Sequence, residues 1–292
     1  MLLKKSLIIF FLICCISCTK DPAVFTIDNL NNGEIGCFGH GGMGSKSIYP
    51  INSFESLQSC INRGADGTEL DVQVTKDSVL VIFHNEQLAS GTSCSGIIRD
   101  LNWSDINDCT MKSNLFKHLE LVSFDEFIQK VPNPKEYIFT LDCKSRVGSG
   151  EDPEVYYKLF AKSLVNTIQR YDLGENVFVE NPDIRFLNEI KYLNGDIKLF
   201  FLIDDFDYGL QVVKAQNFYG LSMFFMDANT EQIKTAHLEN KRVTLYGVST
   251  DKENYAAVEK SPDYIQTDNI VYLLKIFNRY TKGKGYYYSM TK

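Results

Sequence analysis

Short apolar runs alternate along this chain with longer stretches whose apolar residues recur at helical spacing, and that alternation limits the possible folds more than any other feature. Strands are expected near residues 35–39, 67–72, 137–142, 176–180, 197–202, 219–224, 242–247 and 264–267. Eight such strands separated by helices are what a closed (β/α)8 TIM barrel, an α/β fold, requires. Phe54, Leu57 and Ile61 would share one helix face, as would Tyr157, Phe160, Leu164 and Ile168. Asp152 before Pro153 and Asn181 before Pro182 read as N-caps ahead of a first-turn proline. Residues 85–122 are too long for a simple connection and rich in Ser, Cys, Asn and Asp, so they read as a small insertion over the C-terminal mouth of the barrel. The chemistry of such a fold belongs at that mouth, where the strands end.

Useful groups collect there early in the chain. Strand one ends in Gly39-His40-Gly41-Gly42, strand two contains Glu69-Leu70-Asp71, and the third barrel strand ends in Asp142-Cys143-Lys144. Glu69 and Asp71 are two residues apart on a strand, so both carboxylates point to one side, where they could share a hard cation. After strand two, Thr75-Lys76-Asp77-Ser78 leads directly into a second apolar run, Val79 to Phe83, ending at His84. No crossover helix fits in that gap, so the pair is a β-hairpin. A turn centred between Lys76 and Asp77 would set His84 opposite Glu69. Of the four histidines, His40 and His84 therefore fall where catalysts belong, while His118 and His237 read as surface residues.

His40-Gly41-Gly42, then Pro50-Ile51-Asn52-Ser53, then the run Gly64 to Asp77, then Val81-Ile82-Phe83-His84, closely resemble the glycerophosphodiester phosphodiesterase family. The likeness continues through Leu141-Asp142-Cys143-Lys144 and Tyr246-Gly247-Val248-Ser249 and closes with Thr267-Asp268, spanning about residues 36–270. The resemblance implies metal-dependent hydrolysis of a small phosphodiester substrate, with His40 and His84 as acid and base. It implies a divalent cation, Ca2+ or Mg2+, held by Glu69, Asp71 and Asp142; Lys144 would add positive charge toward the substrate phosphate. Several positions depart from the family pattern: Gly41 replaces an arginine, Ile51 a glutamate, Asn85 an aspartate and Asp142 a glutamate. A noncatalytic ligand-binding barrel, or a lyase that stops at a cyclic phosphate, are the other readings of the same residues. Phe224 and Phe225, at the end of a barrel strand, could flank an apolar part of the substrate.

Lys4 and Lys5 precede an apolar run from Leu7 to Ile13 that is too short to span a bilayer. Ser17 before Cys18, followed by Thr19, Lys20 and Asp21, resembles a bacterial lipobox, so residues 1–18 read as a lipoprotein signal with Cys18 the acylated residue. That implies a chain anchored by lipid to a membrane of the bacterial cell envelope, facing periplasm or exterior; an ordinary cleaved signal is the alternative. The remaining chain divides into a polar leader, 19–33, one barrel, 34–281, and a tail, 282–292. Beyond Cys18 the cysteines stand at 37, 60, 94, 109 and 143, an odd number without zinc-site spacing. Cys94 and Cys109 could bridge within the insertion. The net charge is −7 without a basic cluster, which argues against a nucleic-acid partner.

Overall fold

The computed structural model describes residues 25–116, 118–148 and 152–282. The signal segment with Cys18, the leader up to residue 24 and the tail beyond 282 lie outside the described residues. The first strand, β1 (Gly36–Gly39), is followed by α1 (Phe54–Asn62), β2 (Gly67–Val74) and β3 (Leu80–Ile82). Next come β4 (Val122–Ser123), α2 (Phe124–Lys130), β5 (Ile138–Cys143), α3 (Glu154–Arg170), β6 (Val177–Asn181) and α4 (Ile184–Leu193). The chain continues with β7 (Lys198–Ile203), α5 (Phe206–Ala215), β8 (Gly220–Phe224), α6 (Thr230–Leu238), β9 (Arg242–Val248), α7 (Asp251–Glu259), β10 (Tyr264–Thr267) and α8 (Ile270–Ile276). Strands β1, β2, β5, β6, β7, β8, β9 and β10 are parallel neighbours in that order, and β1 pairs with both β2 and β10, which closes the barrel. Every strand expected from the apolar runs is present, with boundaries within two residues at each end.

Period-two alternation explains how the barrel is filled. Outward residues such as Leu70, Leu141, Val179, Leu221 and Ile265 join the helices in the main core. Inward residues Phe38, Phe178, Phe200 and Tyr264 form a separate aromatic plug, with Phe178 and Tyr264 centroids 5.0 Å apart and Phe38 and Tyr264 5.5 Å apart. Two residues further along the same strands, on the same inward face, lie His40, Glu180, Leu202 and Gln266. The plug thus forms the floor on which polar groups stand at the C-terminal mouth. At the opposite end the described part of the leader closes the barrel: Leu30 N donates to Asp263 Oδ1 at 2.9 Å, and the Phe25 ring packs 5.0 Å from Tyr255.

The hairpin departs from its expected register. Val72 pairs with Ile82 and Gln73 with Val81, which would set Asn85, not His84, across from Glu69. The loop has three residues rather than two: Thr75 N donates to Val79 O at 3.0 Å, and Ser78 adopts a left-handed φ of 71°. A three-residue hairpin closing on a left-handed residue moves the centre of pairing onto Asp77. A slip of one residue also exchanges the faces of the returning strand.

The N-caps also shift. Asp152 does accept the Glu154 N–H at 3.0 Å, beside Pro153. Asn181, however, ends β6, and Asp183 caps α4. The insertion carries its own small core, including Leu88, Ile98, Ile106 and Leu121, and a Cys94–Cys109 disulfide. It rests on the hairpin through Lys76 N to Leu101 O, 2.9 Å, and Trp103 N to Asp77 Oδ1, 2.9 Å. Among the described residues, no helix is long and apolar enough to cross a membrane.

Candidate active site

Glu69 and Asp71 project from β2 and Asp142 from β5, where Asp71 and Asp142 are direct register partners. One carboxylate oxygen from each lies within 4.8 Å of the others. Glu69 and Asp71 are almost fully buried, 2 % and 1 % exposed. Burial, and then the Asp71 charge, raise the Glu69 carboxyl to about 8. Burial likewise raises Asp142, against the lowering pull of Lys144. Lys144 Nζ is 2.8 Å from Asp71 Oδ1 and 2.5 Å from Asp142 Oδ2. Burial would lower its proton affinity, but the two carboxylates outweigh it and raise it.

These residues fit a hard divalent cation. The donor set is all carboxylate oxygen, as Ca2+ and Mg2+ require. Asp71 Oδ1 is buried without a hydrogen bond; the nearby ammonium faces it outside hydrogen-bond geometry. The set is also braced from behind. Asn52 Nδ2 donates to Asp71 Oδ2 at 2.6 Å while its Oδ1 accepts the Asp71 N–H at 3.1 Å. Gly41 N donates to Glu69 Oε2 at 2.7 Å. Gly41 can do this because its φ is 52°, and a Cβ there would lie 2.7 Å from the Ile51 Cβ. Position 41 therefore contributes a backbone donor where the resemblance would put an arginine side chain.

His40, at the end of β1, places Nδ1 2.9 Å from Asp268 Oδ1, which also accepts the Ser45 N–H. Burial would lower the imidazole pKa, yet the Asp268 hydrogen bond and the charges of Glu69, Asp268 and Asp71 raise it to about 9. Asp268 falls to about 2 because the His40 and Ser45 bonds overcome its own burial. His40 shares a cavity of about 140 Å³ with Glu69, Asp142, Glu180, Tyr246 and Gln266. His84 is exposed beyond the end of β3 and lines an adjoining cavity of about 540 Å³ with Asp142, Lys144 and Arg146. Its Nδ1 is 2.8 Å from Asn85 Oδ1, and Asn85 Nδ2 donates to Ser90.

His40, Glu69, Asp71, Asp142 and Lys144 thus lie at the mouth as expected, and His84 reaches it in a different register. His118 is exposed beside the Phe116 ring. His237 is not the surface residue expected: its side chain is 10 % exposed and Nε2 lies 2.8 Å from Asp263 Oδ2. Only Phe224 of the phenylalanine pair reaches the mouth, 37 % exposed and tilted against Tyr246; Phe225 is buried at 5 %. Asp268, Asn52, Glu180 and Gln266 are site residues that the reading of strand ends did not assign. Glu180 is 2 % exposed, accepts from Gln266 Nε2 at 2.8 Å, and is raised by burial to about 8. Thr267-Asp268 was part of the recognised pattern, but only the closed barrel brings it beside His40.

A closed parallel barrel with converging carboxylates and two imidazoles at its C-terminal mouth is the architecture of a barrel enzyme, and comparison with known proteins puts it in the phosphoric diester hydrolase class. The chain belongs to the glycerophosphoryl diester phosphodiesterase family, whose pattern matches residues 43–271. It is similar to a glycerophosphodiester phosphodiesterase of Bacillus altitudinis, 21 % identical over 77 % of this chain and 91 % of the relative. It is also similar to one of Caldanaerobacter subterraneus subsp. tengcongensis, 22 % identical over 81 % of this chain and 96 % of the relative. Among solved structures, a phosphodiesterase of Oleispira antarctica in complex with the product sn-glycerol-3-phosphate superposes with TM-score 0.73 at 15 % identity, covering 83 % of this chain and 96 % of that one. A glycerophosphodiester phosphodiesterase from Parabacteroides distasonis gives 0.72 at 17 % identity, covering 84 % and 98 %. At these identities the structural likeness establishes a shared fold.

Proposed function

We propose that this protein hydrolyses glycerophosphodiesters to an alcohol and glycerol phosphate, using His40 and His84 as acid and base. The convergence of Glu69, Asp71 and Asp142 within 4.8 Å beside both imidazole-lined cavities carries this reading. When bound by those three carboxylates, Ca2+ or Mg2+ would neutralise charge that builds on the equatorial phosphate oxygens. Lys144 sits against the same carboxylates, where its ammonium can turn toward the phosphate.

The two imidazoles are prepared for opposite roles. His40 carries both protons at neutral pH, so its Nε2–H can protonate the leaving alcohol. At His84 the Asn85 amide oxygen can only accept, which puts a proton on Nδ1, so that in the neutral ring Nε2 is the nitrogen that serves as base. His84 takes the proton of the substrate's neighbouring hydroxyl; that oxygen bonds to phosphorus as the bond to the leaving alcohol breaks and His40 supplies its proton. The cyclic phosphate then opens by the reverse proton traffic: neutral His40 deprotonates a water whose oxygen bonds to phosphorus, and His84 returns a proton to the glycerol oxygen as its bond to phosphorus breaks.

Phosphorus NMR of a reaction on sn-glycero-3-phosphoethanolamine tests the reading, with glycerol phosphate as the expected end product. A persistent cyclic phosphate would instead make the protein a lyase, and binding without any product would make it a ligand-binding barrel. We further infer attachment to the bacterial cell envelope through acylated Cys18, supported by the lipobox-like sequence. Incorporation of labelled fatty acid in the producing cells should disappear in Cys18→Ser, and unlabelled wild-type protein would contradict the anchor.

A further inference from the structure

The cavities containing His40 and His84 meet at Asp142 and Leu202 but differ in charge. The His40 cavity is lined by Glu69, Asp142, Glu180 and Asp268, with no lysine or arginine. The His84 cavity carries Lys144 and Arg146 beside the acids Glu86 and Asp142. Lys144 stands 2.8 Å from Asp71 Oδ1 and 2.5 Å from Asp142 Oδ2. Arg146 is exposed, and among the described residues its guanidinium has no carboxylate partner.

The backbone that presents Arg146 is nevertheless fixed. Lys144 N donates to Val72 O at 2.8 Å and Ser145 N to Cys143 O at 3.0 Å. Asn181, only 1 % exposed, donates through Nδ2 to Cys143 O at 2.6 Å and Ser145 Oγ at 3.0 Å. The turn after β5 is thereby tied to the end of β6, and the next side chain starts from an anchored point. An exposed guanidinium on an anchored turn, sharing a cavity with His84, is suited to two parallel bonds with phosphate oxygens.

We propose that Arg146 binds the substrate phosphate, gripping its nonbridging oxygens on the His84 side of the site. This rests on the phosphodiesterase reading above. Because the side chain is exposed and makes no bond to a described residue, its removal should leave the fold intact.

Arg146→Ala should lower kcat/KM on sn-glycero-3-phosphoethanolamine by about 10- to 100-fold, the range for a lost hydrogen bond to a charged group. Inorganic phosphate, as a competitive inhibitor, should weaken by a similar factor. Arg146→Lys should recover only part of the loss, since it restores the charge without the fork. The unfolding midpoint should stay at the wild-type value; if it falls substantially, the Lys variant, which keeps the stem, decides by the same two readouts. Retention of wild-type kcat/KM and phosphate inhibition to within twofold in either variant would overturn the assignment. If the wild-type protein turns over no diester, the function reading fails, and calorimetry with inorganic phosphate decides Arg146 separately: binding lost in Arg146→Ala supports it, and equal or absent binding in both overturns it.

Discussion

His40 depends on a partner 228 positions away in sequence, Asp268, and that bond sets when the imidazole can act as an acid. An acid catalyst works while protonated, so activity should fall as pH rises through the His40 pKa. Asp268→Asn removes a neighbouring charge, the kind of change that moves a pKa by about one to three units. The alkaline limb of the pH–kcat/KM profile should therefore move to lower pH in that variant, and an unmoved limb would show that Asp268 does not tune the acid. The sequence disclosed His40 and Asp142 because they sit at strand ends, and Glu69 and Asp71 because they share the i, i+2 spacing within β2. Glu180 within β6 and Asp268 just after β10 are lone acids without a paired signal, and only closure of the barrel brings them to the others. Asn52 was visible in its motif, but its two-sided grip on Asp71 depends on a left-handed φ of 65° that spacing does not reveal.

The strands were legible because burial on both faces of a barrel strand leaves continuous apolar runs, and the hairpin because no helix fits between its arms. Its register was not legible, since two- and three-residue loops are both compatible with Thr75-Lys76-Asp77-Ser78-Val79. The choice rests on local bonds: Thr75 Oγ1 donates to Asp77 Oδ1 at 2.6 Å and accepts the Val79 N–H at 2.9 Å. The insertion built on that hairpin is a small element with a small core, so its disulfide should matter. Joining residues 15 apart is worth about 3 kcal/mol in the chain-entropy estimate. The Cys94→Ser/Cys109→Ser protein should lose stability of that order in denaturant unfolding, with added proteolysis confined to residues 85–122. A double variant as stable as wild type would mean that the insertion core and its hydrogen bonds suffice.

At the scale of the whole barrel, the acidic mouth is a stability cost that the fold carries for its chemistry. Glu69 and Glu180 are both raised from 4.5 to about 8, chiefly by burial. The folded protein therefore holds protons that the unfolded chain releases between those values, and stability should decline as pH rises through that window. Glu180→Gln cannot ionise, so without added cation it should match wild type below about pH 4.5 and exceed it above pH 8 by an amount on the order of a few kcal/mol. Equal pH slopes in both proteins would place the cost elsewhere. Divalent cation should relieve part of the same cost and raise the unfolding temperature. The most direct measurement is the initial rate of glycerophosphodiester hydrolysis by the chain beginning at residue 19, with Ca2+, with Mg2+ and with chelator, alongside His40→Ala. The expected result is turnover that the chelator abolishes and added cation restores, reduced about 10²- to 10⁴-fold in His40→Ala. A rate indifferent to chelator or to His40, or no turnover by a folded protein that binds the cation, would contradict it.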